Sequence, residues 1–295
     1  MIESLSILLP TYNCDCRCLV EELHKQCSSI DSLDFEIVVA DDGSSDKSFI
    51  EKNQVITKFP EVRYLLREKN SGRAAIRNFL TREALKKWIL FIDGDLSLDN
   101  PDYIRKYIES NGDVVVGGIT IAGYHPDNLR WRYEKECEEA HSLKNRREKK
   151  LELHTNFLVR RKHLLDHPFD ERFRKYGYED VLLGKQLVEA GLSVHHIDNP
   201  VVFDKYESNE HYLHKCEEAL QTLWKFRSEL KGYSRILVLI EKFKKIHILV
   251  ALHLVYQLIH TLLISRIISN KPSIYAFNIY KMLYFAHLAY QNEHS

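Results

Sequence analysis

The sequence predicts an α/β fold on a mostly parallel central sheet, followed by a C-terminal helical region. Three observations predict it. Short apolar runs alternate with helical patterns through the first half of the chain. Helices of this length between strands are the crossovers a parallel sheet needs, with helices on both faces. Finally, the polar clusters fall at the ends of the apolar runs, where an open α/β sheet binds ligands.

Leu5–Leu9 reads as a buried strand, and Leu19, Leu23, Cys27 and Ile30 then recur at helical spacing. Ile37–Ala40 is a second strand, after which Asp46 is placed to cap a helix carrying Phe49, Ile50 and Ile56. Val62–Leu66 is a third. The segment from Gly72 to Lys87 is helical, with Ala75, Ile76, Phe79, Leu80 and Ala84 on one face. Trp88–Ile92 and Val114–Val116 follow as strands. The charge-rich stretch from Asp127 to Leu153, with Arg146-Arg147 and Lys149-Lys150, reads as a solvated helix and loop, or else as a flap over a site. Asn156–Arg160 is a further strand, and Glu179–Ala190 is a helix ended by Gly191.

Composition bounds the function. The 295 residues suffice for one large domain and an appendage. Lys+Arg and Asp+Glu are equal at 42, so no basic field recruits nucleic acid. The opening MIESLSILLPTYN has no basic leader and long apolar core, so no secretory signal is expected, and the six cysteines are expected in a reducing cytosol. Cys14, Cys16 and Cys18 alternate without the second pair that a zinc site needs, which favours free thiols at a helix start.

The first strand ends in Pro10-Thr11-Tyr12-Asn13, the second in Asp41-Asp42-Gly43-Ser44, the fourth in Asp93-Gly94-Asp95. Each cluster alone is ordinary turn chemistry. Together, at three carboxyl ends, they are expected to converge on one crevice.

The succession SILLPTYN, EIVVADDGSSD, REKNSGRAAIRN, WILFIDGD, FDERFRKYGYED and GLSVHHIDNP resembles family 2 glycosyltransferases in order and spacing, over about residues 4 to 205. The resemblance implies the A-type glycosyltransferase (GT-A) fold, a nucleotide-diphospho-sugar donor such as a UDP-sugar, a divalent Mn²⁺ or Mg²⁺, and inversion at the anomeric carbon. It implies a hexosyl- or N-acetylhexosaminyl-transferase acting on a glycan or lipid-linked acceptor in cell-surface polysaccharide synthesis. Pro10, Tyr12, Asp41 and Asp42 are then expected at the base and ribose, and Arg77 at donor phosphate or sugar. Asp93 and Asp95 form the D-x-D element, two hard oxygen ligands after a strand. Within Glu179-Asp180, the resemblance makes Asp180 the general base, although a helix N-terminus weakens a base. Asn156 and Arg172 are expected on the acceptor side.

Many relatives place a His shortly after the N-P step. Here Asn199-Pro200 leads to Phe203 and Asp204. Asp204 is the candidate substitute ligand, with His195 or His196 as alternatives. The missing His also motivates the competing expectation of a degenerate sugar-nucleotide-binding module. A Rossmann dehydrogenase lacks support, since no G-x-G-x-x-G follows the first strand.

The division expected is a catalytic domain over 1–205 and a helical region over 206–295. Residues 206–231 read as an amphipathic helix with Tyr212, Cys216, Leu220, Leu223 and Phe226 inward. Residues 246–265 carry no charge and match a membrane span in length, yet His253, Gln257 and His260 share one face. Packing or self-association, interfacial membrane contact and a true span all remain open. The region from Ser234 onward is expected to govern location, cytoplasmic or peripheral at the inner face of the membrane, rather than catalysis.

Overall fold

Val, Ile, Leu and Phe fill the strands of the central sheet on both faces, because helices cover both. The computed structural model describes residues 2–139, 142–149, 153 and 155–294. The first part of the chain runs β1 (Ser4–Thr11), α1 (Arg17–Ser28), β2 (Asp34–Asp41), α2 (Lys47–Asn53), β3 (Val62–Leu66), α3 (Arg73–Glu83) and β4 (Trp88–Ile92). It continues through α4 (Tyr103–Ile108), β5 (Val114–Val116), β6 (Ile119–Ile121), α5 (Leu129–Cys137), α6 (Leu143–Lys149), β7 (Asn156–Arg160) and α7 (Arg161–Asp166). Then come α8 (Glu179–Glu189), β8 (Val194–His196), β9 (Val201–Phe203), α9 (Asn209–Lys225), α10 (Arg235–Lys245), α11 (Leu249–Ile267) and α12 (Ile274–His294).

Among the described residues the main sheet has the order β3-β2-β1-β4-β7-β5-β8. Strands β1 to β4 are parallel, as are β5 and β8; β7 is antiparallel to both β4 and β5. The parallel sheet expected from the alternation therefore holds with one reversed strand. That reversal brings Asn156, the first residue of β7, opposite Ile92, the last of β4. A second, two-stranded parallel sheet pairs β6 with β9.

The chain forms two compact units. One contains residues 1–122, 138–174 and 179–205; the other contains 123–137, 175–178 and 206–295. Besides 206–295, the second unit thus takes α5 and the 175–178 turn from before position 205.

Two polar side chains hold the first unit from within. Asn156 is fully buried, and its amide uses all four of its bonds: it accepts from the Tyr103 and Tyr107 hydroxyls (2.5 and 2.6 Å) and donates to the Gly118 and Asn199 carbonyls (2.7 and 3.0 Å). Burial pushes both phenols well above their ordinary pKa, so both stay O–H donors. The second is Arg146, buried from the charge-rich stretch and donating to the carbonyls of Val116, Gly117 and Ile197. At this residue the solvated expectation fails: three carbonyls replace the water it loses. Lys150 of that stretch lies outside the described residues.

In the second unit, Leu129, Tyr212, Leu213, Ile267, Ile274, Phe277 and Tyr280 form the core. Arg130 meets both oxygens of Glu207, and Lys215 meets one.

Candidate active site

The three polar clusters meet through the backbone before any side chain is considered. Asp42 N donates to Thr11 O (2.9 Å) and Gly94 N to Pro10 O (3.1 Å), so the end of β1 is bonded to both neighbouring loops. Tyr12 is 45% exposed, and its hydroxyl reaches Ser45 Oγ at 3.4 Å. Asn13 holds a left-handed conformation (φ 47°) and is tied to Ser44 and Ser45. Asn tolerates that region, which frees the Tyr12 ring to face outward at the strand ends.

Asp41 and Asp42 are placed differently from the donor contacts expected of them. Both are buried. Asp41 accepts from Ser44 N (2.6 Å), Ser44 Oγ (2.7 Å) and the Tyr64 hydroxyl (3.2 Å). Asp42 accepts from Ser71 Oγ (2.7 Å), Ser71 N (2.9 Å) and Gly72 N (3.0 Å). Here their oxygens are occupied in shaping loops. Gly43, which follows them, has φ +72°, and a Cβ there would stand 2.7 Å from the Lys69 backbone, so the two loops touch only because that residue is glycine.

Arg77 and Asp93 are likewise turned toward each other. Arg77, only 3% exposed, donates to Asp93 Oδ1 at 2.7 Å and to Glu179 Oε1 at 3.3 Å. Arg73, absent from the sequence-level candidates, donates to Asp93 Oδ2 at 2.9 Å and to Glu179 Oε1 at 2.7 Å. Two cations and two carboxylates thus alternate in a quartet that joins the start of α3, the end of β4 and the start of α8. Both oxygens of Asp93 accept from arginine. One signal for Arg73 was available: arginine in the first helical turn opposes the macrodipole and asks for a nearby anion.

Glu179 is buried, and its Oε2 has no hydrogen-bond partner. Asp180, the next residue, is half-buried and accepts from Val181 N at 2.9 Å, a capping bond at the head of α8. Gly177 (φ 97°) and Tyr178 (φ 71°) immediately precede the pair; a tyrosine with positive φ is backbone strain spent on setting that turn.

The end of β9 is brought to the D-x-D loop by Ser97. Its backbone bridges Val202 in both directions, and its hydroxyl donates to Asp204 Oδ2 at 2.7 Å. Phe203, where the His was expected, is buried in the core. His195 and His196 are on β8 at the far edge of the sheet, and His196 faces Arg146; neither joins the site. Of the expected acceptor-side residues, Asn156 is the buried node already described, and Arg172 pairs with Asp170 of its own loop.

Among the described residues no three His, Cys, Asp or Glu side chains converge as a metal cage. The half-buried Asp95, with Asp204 near its loop, instead fits a hard cation carried largely by a diphosphate and water, which needs only one or two carboxylates. The cysteines take no part. Cys14 bonds Gly94 O at 3.2 Å and burial pushes its thiol up to about 11, while Cys16 is pushed up to about 12, so both stay protonated.

A sheet of this order with acidic strand ends is the GT-A fold. The chain belongs to glycosyl transferase family 2, whose model matches residues 6–167. Over 130 residues it is 34% identical to a dolichol-phosphate mannosyltransferase of Pyrococcus furiosus, covering 42% of this chain and 35% of that one. Over 132 residues it is 30% identical to a poly(ribitol-phosphate) beta-N-acetylglucosaminyltransferase of Staphylococcus aureus, covering 41% and 38%. The match thus spans little more than a third of these curated relatives. Among solved structures, a mannosyltransferase of Pyrobaculum calidifontis, in complex with GDP-Man and Mn²⁺, superposes with a TM-score of 0.58 at 15% identity, over 98% of this chain and 86% of that one, a likeness of fold.

Proposed function

We propose that the chain is an inverting glycosyltransferase that moves a hexosyl or N-acetylhexosaminyl group from a nucleotide-diphospho-sugar, preferentially a UDP-sugar, to a hydroxyl of a glycan or lipid-linked acceptor in cell-surface polysaccharide synthesis. The observation that supports this reading is the Arg73–Arg77–Asp93–Glu179 quartet, which ties the end of β4, two residues before Asp95, to the start of α8, where Asp180 follows Glu179. Relatives that act on dolichol phosphate and poly(ribitol phosphate) support an acceptor of this class.

In this reading Pro10 and Tyr12 form the wall for the base, and Asp41 and Asp42 hold that wall in shape. Asp95 and Asp204 are the residues that would hold Mn²⁺ or Mg²⁺, which would supply charge neutralisation for the departing diphosphate. Asp180 takes the proton of the acceptor hydroxyl as its oxygen bonds to the anomeric carbon, and the bond from that carbon to the diphosphate breaks. The Val181 amide that bonds Asp180 orients it but weakens it as a base. Six free cysteines are consistent with a reducing, cytoplasmic site of action.

The test incubates purified protein with a panel of nucleotide sugars and acceptors, with Mn²⁺, Mg²⁺ or EDTA, and reads nucleoside diphosphate release. Metal-dependent release is the expected result. Binding without release under every condition would favour the degenerate sugar-nucleotide-binding module, the reading that the buried Phe203 supports. Asp180→Asn is expected to keep donor affinity and to lose transfer by a factor on the order of 10² to 10⁴.

A further inference from the structure

Helix α11 is built inside out. Its polar rings face α12: His253 stacks on His287 with ring centroids 4.7 Å apart and lies 4.3 Å from the Tyr290 ring, while Tyr256 lies 4.4 Å from His287. Leu249 and Ile267 at its ends are buried, but five of its aliphatic side chains face outward. Val250, Leu254, Val255, Leu258 and Leu262 are all exposed, Leu258 by 81% and Leu262 by 61%. A helix packed on a water-soluble bundle has the opposite polarity, because each exposed aliphatic group forfeits roughly 25 cal/mol per Å² of apolar surface. His253, which argues from sequence against lipid contact, is therefore on the sheltered side, while Gln257 of the same stripe is exposed.

Charge says what covers the outer face. Between Glu241 and Glu293 there is no acidic residue, while Lys242, Lys244, Lys245, Arg266, Lys271 and Lys281 all lie in that interval. With the whole chain balanced at 42 and 42, the remainder is net acidic. Lys242 and Lys245 are exposed before the N-terminus of α11, Arg266 and Lys271 at and beyond its other end. Both ends of the apolar face are thus cationic. A second copy of this helix would set cation against cation at both ends, in parallel or antiparallel pairing. Anionic lipid headgroups complement both ends at once.

We propose that the outward face of α11 lies in the headgroup–acyl boundary of an anionic membrane, with the flanking cations on the headgroups. The helix lies flat rather than crossing, since its other face is committed to the histidines and tyrosines of α12.

The test is sedimentation of the full chain with vesicles of phosphatidylcholine alone or mixed with phosphatidylglycerol. It needs no sugar donor, so it stands apart from the enzymatic reading. Binding is expected to the mixed vesicles only and to weaken with salt. Leu258→Glu and Leu262→Glu should each weaken it about tenfold, given the loss of a buried leucine. Lys242→Glu and Lys245→Glu should each weaken it about fivefold. All four positions are exposed, and unchanged circular dichroism checks the fold. Absence of binding to mixed vesicles, or equal binding to neutral ones, overturns the proposal. So does concentration-dependent dimerisation that Leu258→Glu abolishes without any vesicle binding, which would assign the face to a second copy.

Discussion

Arg73 and Arg77 are one helical turn apart and would repel each other without the two carboxylates between them. Burial makes them unequal. Arg77 is almost wholly enclosed, whereas the Arg73 side chain is 37% exposed, so water screens what Arg73 contributes. Removing one partner of a buried pair leaves an uncompensated charge, a loss of about 3–5 kcal/mol. Arg77→Ala is therefore expected to lower unfolding free energy by about that much in a denaturant titration. Arg73→Ala, more exposed, should cost about 1 kcal/mol. Lysine should not rescue position 77, because one ammonium cannot reproduce the fork that reaches Asp93 and Glu179. A fully stable Arg77→Ala protein that fails to bind a nucleotide sugar would instead return Arg77 to the donor contact expected from sequence.

At the scale of elements, the position of β7 determines how the strand ends are held. As a reversed strand it delivers Asn156 to the end of β4, where the amide ties α4 to the turn between β5 and β6 and to Asn199. Asn156→Ala would take the side-chain partner from the Tyr103 hydroxyl and the Asn199 carbonyl, while Tyr107 keeps the backbone carbonyl of residue 156 and the Gly118 carbonyl keeps Val201 N. At about 1–3 kcal/mol for each unsatisfied group, with incomplete additivity, the expected loss is about 4 kcal/mol, measurable as a lowered denaturation midpoint at unchanged slope. Asn156→Asp, which offers no N–H to the two carbonyls, should not restore it. The bounds of β3, β4, β5 and β7 were legible because buried strands are continuous apolar runs closed by polar turns. The direction of β7 was not, because strand polarity depends on long-range pairing that no local period encodes. For the same reason Asn156 looked like a site residue, and Arg73 was not singled out. Position in sequence gave the carboxyl ends, but only the partners of each side chain separate those that project into the site from those that frame it. In α11 the face holding the histidines was readable, whereas the direction it points was set by α12.

At the scale of the whole chain, the helices after Ser234 are more than a locator. The core of the second unit takes Leu129 from α5 and Tyr212 and Leu213 from α9, and it closes on Ile267, Ile274, Phe277 and Tyr280 from the last two helices. Trp224 of α9 likewise packs edge-on against Phe285 of α12 with ring centroids 5.8 Å apart. Deleting 234–295 therefore strips the partners from an apolar face that remains in the chain, and the aromatic residues alone expose area worth about 2–3 kcal/mol each. The truncated protein is expected to bind a hydrophobic dye and to aggregate, with the helical signal of α9 reduced in circular dichroism. The charge asymmetry gives a control. Reversing Lys242 and Lys245 leaves this core intact, and should abolish vesicle binding in a protein that stays monodisperse. A truncated chain that is monodisperse, binds no dye and keeps its helical content would show that α5 and α9 complete a core without α12. The helices from 234 onward would then be an appendage that governs location alone, as the sequence led one to expect.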